Sequence, residues 1–451
     1  MKIAAVGLLA LASFAARAQD TRTVTEPVIP PVCASLGAKL AVVDGRTLAA
    51  EDEKKPDTAR LQQALDACPA GKAVELKPDG AMAAFLIGPV QLRAGVTLLV
   101  AKGAVVFGSR DPRDYDTAPG ACGIVNERGH GCKAMISGDN VAGAAVMGDG
   151  VIDGRGWAPL LGDKVSWWDL AQQAKVQNNN QNCPRILVLQ RCNNFTLYRI
   201  TLKNSPNFHV SYSGGNGFTA WGVIIDTPRA GRNTDGIDPG NSTNVTITHC
   251  FINAGDDNVA VKAGRPGPTT NITISHNHFY AGHGVSIGSE TDGGLSNMLV
   301  TDLSIDGADN GIRIKSNSSR GGVVKNVVYE DVCIRNTKNP ILMDTHYSYT
   351  GKASDRLPWF TGIVLRNVRV SGPGKITLDG YDEKHKLAIA FDNVIVDDLK
   401  AVKFVSDHAT VQLGPGPVNF QPSGDGVTLE GAPGNGQPQS CEAKFVPMPK
   451  R

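Results

Sequence analysis

The 451-residue sequence predicts an all-β chain wound as a right-handed parallel β-helix, with an α-helix capping its N-terminal end. Three observations carry that prediction. A short phrase recurs through the middle of the chain, the composition favours strands and tight turns, and one isolated helical pattern stands ahead of the repeats. The phrase begins "NFTLYRI" at Asn194 and returns at Gly217, Asn244, Asn271 and Asn297, with steps of 23, 27, 27 and 26 residues. A second phrase follows each copy: a polar or small pair, then an alternating apolar strand. Its steps, from Thr234 through Asp256 and Gly282 to Asp309, are 22, 26 and 27, and "KNPILMD" at Lys338 is one rung further on. A period in the twenties built from strands marks a solenoid, because each unit has an apolar face it can bury only by stacking on the next. Propeller blades need about forty residues per repeat and fit less well.

The elements follow in chain order. Residues 1–18 read as an export leader: Lys2 is the positive start, Ile3 to Ala16 is almost wholly apolar, and Ala16-Arg17-Ala18 fits a small-x-small cleavage site. Removing it takes away Lys2 and Arg17 and no acid, so the formal charge falls from +2 to neutral. A neutral chain argues against a broad nucleic-acid-binding face. No later run is long and apolar enough for a membrane helix. The expected product is a secreted protein, soluble as a monomer, with residues 19–451 forming one domain.

"DTARLQQALDAC" places Leu61, Ala64, Leu65 and Cys68 at helical spacing, with Asp57 or Thr58 as N-cap. This helix suits the open apolar end of the solenoid, where it would also shield a strand edge. Nearly everything after it reads as strands. Trp167 and Trp168 are read as packing residues rather than sugar platforms. The Pro/Gly-rich stretch from about Gly414 to Arg451 reads as an extended tail laid on the solenoid. Nine cysteines in an exported chain make disulfides plausible, with Cys122–Cys132 and Cys33–Cys68 the local candidates and at least one thiol left over. No CxxC pair or HExxH motif supports a zinc site, and no cofactor is implied.

Rungs of a parallel sheet lie about 4.8 Å apart, so residues in register stack. The second phrase then puts Asp235, Asp257, His283 and Asn310 in one column, with Asp256 one residue outside it. Arg313 and Lys315 lie two apart on the strand after Asn310 and point the same way. Each motif alone is a turn or a solvated surface. In register they gather three carboxylates, an imidazole and two cations, and stacked acids raise at least one pKa in a way a catalytic site can use. Asn310 by itself reads as part of a structural ladder.

At these residues the sequence resembles the polygalacturonases of glycoside hydrolase family 28. The matching motifs are "NTDGID" (Asn233 to Asp238), "GDD" (Gly255 to Asp257), "GHG" (Gly282 to Gly284) and "RIK" (Arg313 to Lys315). The wider text resembles bacterial secreted endopolygalacturonases from about Thr21 to beyond Asn393. The resemblance implies hydrolysis of polygalacturonate or pectin with inversion. It makes Asp256 the general acid, Asp235 and Asp257 the holders of the attacking water, and His283 a neighbouring catalytic-site residue. It implies that Arg313 and Lys315 bind the substrate carboxylate and that an aromatic after "RIK" lines the cleft, with Tyr347 the better match and Tyr349 the alternative. Other readings remain: an exo-acting or rhamnogalacturonan hydrolase, a calcium-dependent lyase on a similar solenoid, or a polysaccharide-binding adhesin.

Overall fold

The computed structural model describes residues 19–348 and 354–450. The leader and Tyr349 lie outside them. Among the described residues, nearly every strand pairs in parallel with the strand one turn earlier and one turn later, in a 20-stranded and an 11-stranded sheet. That is a parallel β-helix, with a crossover hand that the sterics of L-residues make right-handed.

The recurring Asn residues have a local cause. Asn194, Asn244, Asn271, Asn297 and Asn326 all adopt positive φ, between 51° and 61°, and Gly217 holds the equivalent place at 88°. Asn and Gly are the residues that enter this region most readily. Their side chains then bond up the stack, Asn297 Nδ2 to Asn271 Oδ1 at 3.1 Å and Asn326 Nδ2 to Asn297 Oδ1 at 2.7 Å. A second positive-φ column runs through His249, His276, Asp302, Asp331, Asn367 and Asn393. It bends the chain between two strands on the early turns. From Thr269–Phe279 onward it sits inside single long strands, including Leu295–Asp306, Val323–Arg335 and Trp359–Ser371.

The interior is stacked aliphatic rows. Ile237, Val259, Val285, Ile312, Ile341 and Ile376 follow one another through the 11-stranded sheet, each essentially inaccessible. Burying such a side chain stabilises by about 1.5–3 kcal/mol. The continuous core extends from Ala38 to Phe420.

The capping helix is Thr58–Ala67, as the spacing predicts, with Leu61 and Leu65 in the core. Asp57 holds the N-cap position, but its carboxylate is taken by Arg60 and the Leu86 N–H instead of the helix's own amides. A second helix, Trp167–Val176, was missed by the sequence reading. Its signal was present: Ser166 and Asp169 form a capping box at S-x-x-D spacing. Trp167 is fully buried and Trp168 donates its indole N–H to the Ser205 carbonyl at 2.9 Å, so both are packing residues.

Cys33–Cys68 and Cys122–Cys132 form the two local disulfides expected. Cys333–Cys441 is a third, joining residues 108 apart. It fixes the tail, which pairs Thr428–Gly431 onto the last turn and then runs back along the long-strand face to Tyr280, whose hydroxyl donates to the Val446 carbonyl. Cys183, Cys192 and Cys250 are buried and carry no disulfide.

Candidate active site

The strands Ile237–Gly240, Val259–Val261, Val285–Ile287 and Asn310–Lys315 set the site. Ile237 pairs with Val259, Val259 with Val285, and Val285 with Ile312. Two residues back from each lie Asp235, Asp257, His283 and Asn310, the column that the spacing predicts. Asn310 does extend a ladder, accepting from Asn339 Nδ2 at 3.1 Å. The column also continues backward through Phe208 and Arg185, because Val210 pairs with Ile237 and Leu187 with Val210.

The turn before each rung is tightly held. Buried Asn258 donates to the Ile252 and Ala281 carbonyls and accepts from the Gly284 N–H, tying the Asp256-Asp257 turn to that of His283. Gly284 has φ +70°, and a Cβ there would lie 2.1 Å from the Gly311 carbonyl oxygen, so only glycine fits. A Cβ on Gly255 would meet the Gly231 carbonyl oxygen at 2.0 Å. Both glycines of the "GDD" and "GHG" turns therefore serve close backbone approach.

The two adjacent acids separate by environment. Asp257 is 1% exposed and receives Arg313 Nη1 at 3.1 Å, Lys315 Nζ at 2.8 Å and Ser286 Oγ at 2.7 Å. Burial alone would push its carboxyl upward, but Lys315, Arg313 and His283 outweigh burial and hold it well below the usual carboxylate range. Asp256 is more open, and its Oδ1 lies 3.0 Å from His283 Nδ1. His283 Nε2 is 3.7 Å from Asp309, which is itself paired with Arg229 and Lys338. Asp235 is buried with one carboxyl oxygen lacking any hydrogen-bond partner, and burial together with Asp238 and Asp256 pushes it well above its ordinary value. Tyr347 completes the group: its ring centroid is 5.3 Å from the Arg313 guanidinium carbon and 5.3 Å from Lys315 Nζ. All seven residues singled out in the sequence are thus brought to one face of the 11-stranded sheet or its edge.

Lys262, Phe208 and Arg185 were missed, and Asp238 was named only as the end of the "NTDGID" motif. Lys262 Nζ lies 2.6 Å from Asp238 and 4.0 Å from Asp235, and over the Phe208 ring at 4.3 Å. Burial would lower the Lys262 ammonium, but Asp238 and Asp235 outweigh it and hold the charge on. Burial pushes Asp238 to about 6 despite Lys262. The Arg185 guanidinium carbon also lies over the Phe208 ring, 4.4 Å from its centroid. Lys262 was legible, since "VAVK" and "IRIK" place their lysines five residues after Asp257 and Asn310 respectively.

A cavity of about 620 Å³ adjoins the acids on the N-terminal side, lined by Arg128, His130, Lys133, Arg185 and Arg232 among amide side chains. It is a basic recess beside an acidic centre. Asp256, Asp257 and His283 present ligand atoms within 4.8 Å of one another, and a divalent cation on the Asp257 oxygen facing His283 would compete there with Arg313 Nη1 and Ser286 Oγ, which already occupy it. Asp407, His408 and Asp425 form the other such group among the described residues, far along the solenoid.

A model of the glycosyl hydrolases family 28 matches residues 94–409, a span containing the three acids, His283, Arg313, Lys315 and Tyr347. The chain belongs to glycosyl hydrolase family 28. Among relatives of this family 28 chain, a polygalacturonase of Ralstonia nicotianae is 39% identical over 98% of this chain and 96% of its own length. An endo-polygalacturonase of Pectobacterium carotovorum is 43% identical over 86% of this chain and 92% of its own. A solved polygalacturonase structure from Erwinia carotovora superposes with a TM-score of 0.81 at 40% identity, covering 87% of this chain and 99% of that one. The family 28 solenoid is therefore the fold of this chain, and glycoside hydrolysis its chemistry.

Proposed function

We propose that the chain is an endo-acting polygalacturonase that hydrolyses the α-1,4 bonds of polygalacturonate with inversion at the cleaved anomeric carbon. The observation that carries this reading is the juxtaposition, on adjacent rungs, of three carboxylates with the Arg313–Lys315 pair beneath Tyr347. The relatives named endo-polygalacturonase support the same substrate and mode.

Cleavage needs a proton on the leaving oxygen and a water delivered to the opposite face of the sugar. Asp256, the more open acid, is the proton donor, and His283 positions it through the 3.0 Å contact to its Oδ1. Asp257 stays ionised under its two cations and orients the water. Asp235, with the higher proton affinity, is the stronger base and takes the water's proton once it is itself ionised. Arg313 and Lys315 supply the bidentate fork and the point charge that recognise a uronate carboxylate, and Tyr347 gives the sugar ring an apolar wall. Beyond the site, we read residues 1–18 as an export leader, the remainder as one monomeric domain, and the substrate as an extracellular pectin. No helix among the described residues is long and apolar enough to cross a membrane.

The test is a timed product profile on polygalacturonate, with NMR of the newly formed anomer. Mixed oligomers early in the reaction and a β anomer as first product are expected. Release of monomer or dimer alone would make the enzyme exo-acting, and an α first product would overturn inversion. An unsaturated, chelator-sensitive product would indicate a lyase, and no new reducing ends would favour a binding protein.

A further inference from the structure

The outward face of the sheet changes chemistry one rung beyond the Arg313–Lys315 pair. Arg313 pairs in register with Leu342, Leu342 with Thr377, and Thr377 with Val405. Lys315 pairs with Asp344, and Asp379, next in that line, pairs with Asp407. Ile341 and Met343 turn into the core, so Leu342 and Asp344 face outward as Arg313 and Lys315 do. On this rung a guanidinium is thus replaced by an isobutyl group and an ammonium by a carboxyl. Burial pushes the Asp344 carboxyl upward against the His346 N–H it accepts, and Asp379 adds to the push. Protonated or charged, Asp344 offers a uronate carboxylate no counter-ion. The other cations nearby are committed or displaced. Lys338 pairs with Asp309, and Lys375 and Lys403 stand at the far edge of the two later rungs, in register with each other.

The adjoining loops bring rings to the same side. His346 follows Asp344, stacks on Tyr381 with centroids 5.1 Å apart, and is fixed by Asp379 at 2.8 Å from its Nδ1. Tyr381 in turn meets His385, and His385 meets Trp359. An aromatic line therefore leads away from Tyr347 beside a rung that carries no cation on its outward face at Leu342 and Asp344. On the other side of the acids the cleft is lined by Arg128, Lys133, Arg185 and Arg232.

We propose that the rung bearing Leu342 and Asp344 is a binding position for an uncharged, methyl-esterified uronate unit, so that the enzyme tolerates esters on one side of the cleaved bond and not on the other. The inference rests on the polygalacturonase reading above. An ester removes the charge that lacks a partner there, and its methyl group packs on Leu342 and the neighbouring rings. At Arg313 and Lys315, and in the basic recess, the same ester removes the group that is recognised.

The test uses the full chain on polygalacturonate and on randomly, partially methyl-esterified polygalacturonate, with the ester positions in the product oligomers mapped by mass spectrometry. Esters are expected close to the newly formed end on one side of the cut and excluded from the corresponding positions on the other. Leu342→Lys restores a cation in register with Arg313 and should raise the rate ratio of unesterified to esterified substrate by about two- to fivefold, the scale of a partly exposed ion pair. Asp344→Asn is the second variant, and should move the ratio in the same direction by less. A symmetric ester distribution, or a Leu342→Lys ratio equal to that of the unmodified chain, would overturn the inference while leaving the activity in place. Failure to cleave polygalacturonate at all would instead sink the underlying reading, and this one with it.

Discussion

Replacing Lys315 with Met tests whether this lysine holds Asp257 ionised as well as facing substrate. Its Nζ is 2.8 Å from Asp257 Oδ2, with both side chains nearly inaccessible. At that distance the gross attraction is about 6 kcal/mol for an effective dielectric of about 20. Desolvating both ions offsets much of it, and Arg313 still faces the other oxygen at 3.1 Å. Breaking a buried pair outright costs about 3–5 kcal/mol, so with one cation remaining we expect a loss of about 2 kcal/mol at neutral pH. The pH dependence identifies the cause. Asp257 titrates below its unfolded value of about 3.9, so its contribution is present above that pH and is lost as pH falls through the folded value. Removing Lys315 raises the folded value and shrinks that contribution. The difference between unmodified protein and Lys315→Met, measured by urea unfolding monitored by fluorescence, should therefore be full from neutrality down to about pH 4 and diminish only in more acid solution, where the variant's carboxyl takes up its proton before that of the unmodified protein. A difference that does not diminish on acidification to about pH 2 would mean that Lys315 acts through the packing of its methylene stem. That would refute the electrostatic argument.

Asp256→Asn should lower kcat on polygalacturonate by about 10²–10⁴-fold with circular dichroism unchanged, and a loss under tenfold in a reducing-end assay would reject its role as acid. Asp235→Asn should abolish turnover yet stabilise the fold at neutral pH. Asp235 is raised by burial, so ionising it costs stability progressively as pH climbs above about 4, and the amide removes that cost. A variant melting below the unmodified protein at pH 7, or gaining as much at pH 4, would contradict this. Ile312→Ala, in the fully buried row between Val285 and Ile341, should cost about 2–5 kcal/mol in denaturant unfolding. A loss under 1 kcal/mol would mean that the row collapses around the gap.

The division between sequence and structure follows from the periodicity of the solenoid. A repeat of 22 to 27 residues on a parallel sheet ties sequence spacing to spatial position, so steps counted along the chain already place Asp235, Asp257 and His283 in one column. Few folds allow that, because in most the residues of a site come from unrelated positions. The same regularity made the Asn and Gly of the turns readable as positions needing positive φ, and the local disulfides readable from short spacings. What the spacing could not reveal was anything set by direction across the rungs. The separation of Asp256 from Asp257, one open beside His283 and the other buried between two cations, depends on how the turn leaves the sheet. The return of the tail to reach Cys333 and the meeting of loops that aligns His346 with Tyr381 both join segments whose chain spacing carries no period. The sequence by itself determined the stack and the column of residues upon it. Only the tertiary structure decided which of those residues are charged, because charge in a buried cluster depends on the distances and desolvation that side chains meet across turns.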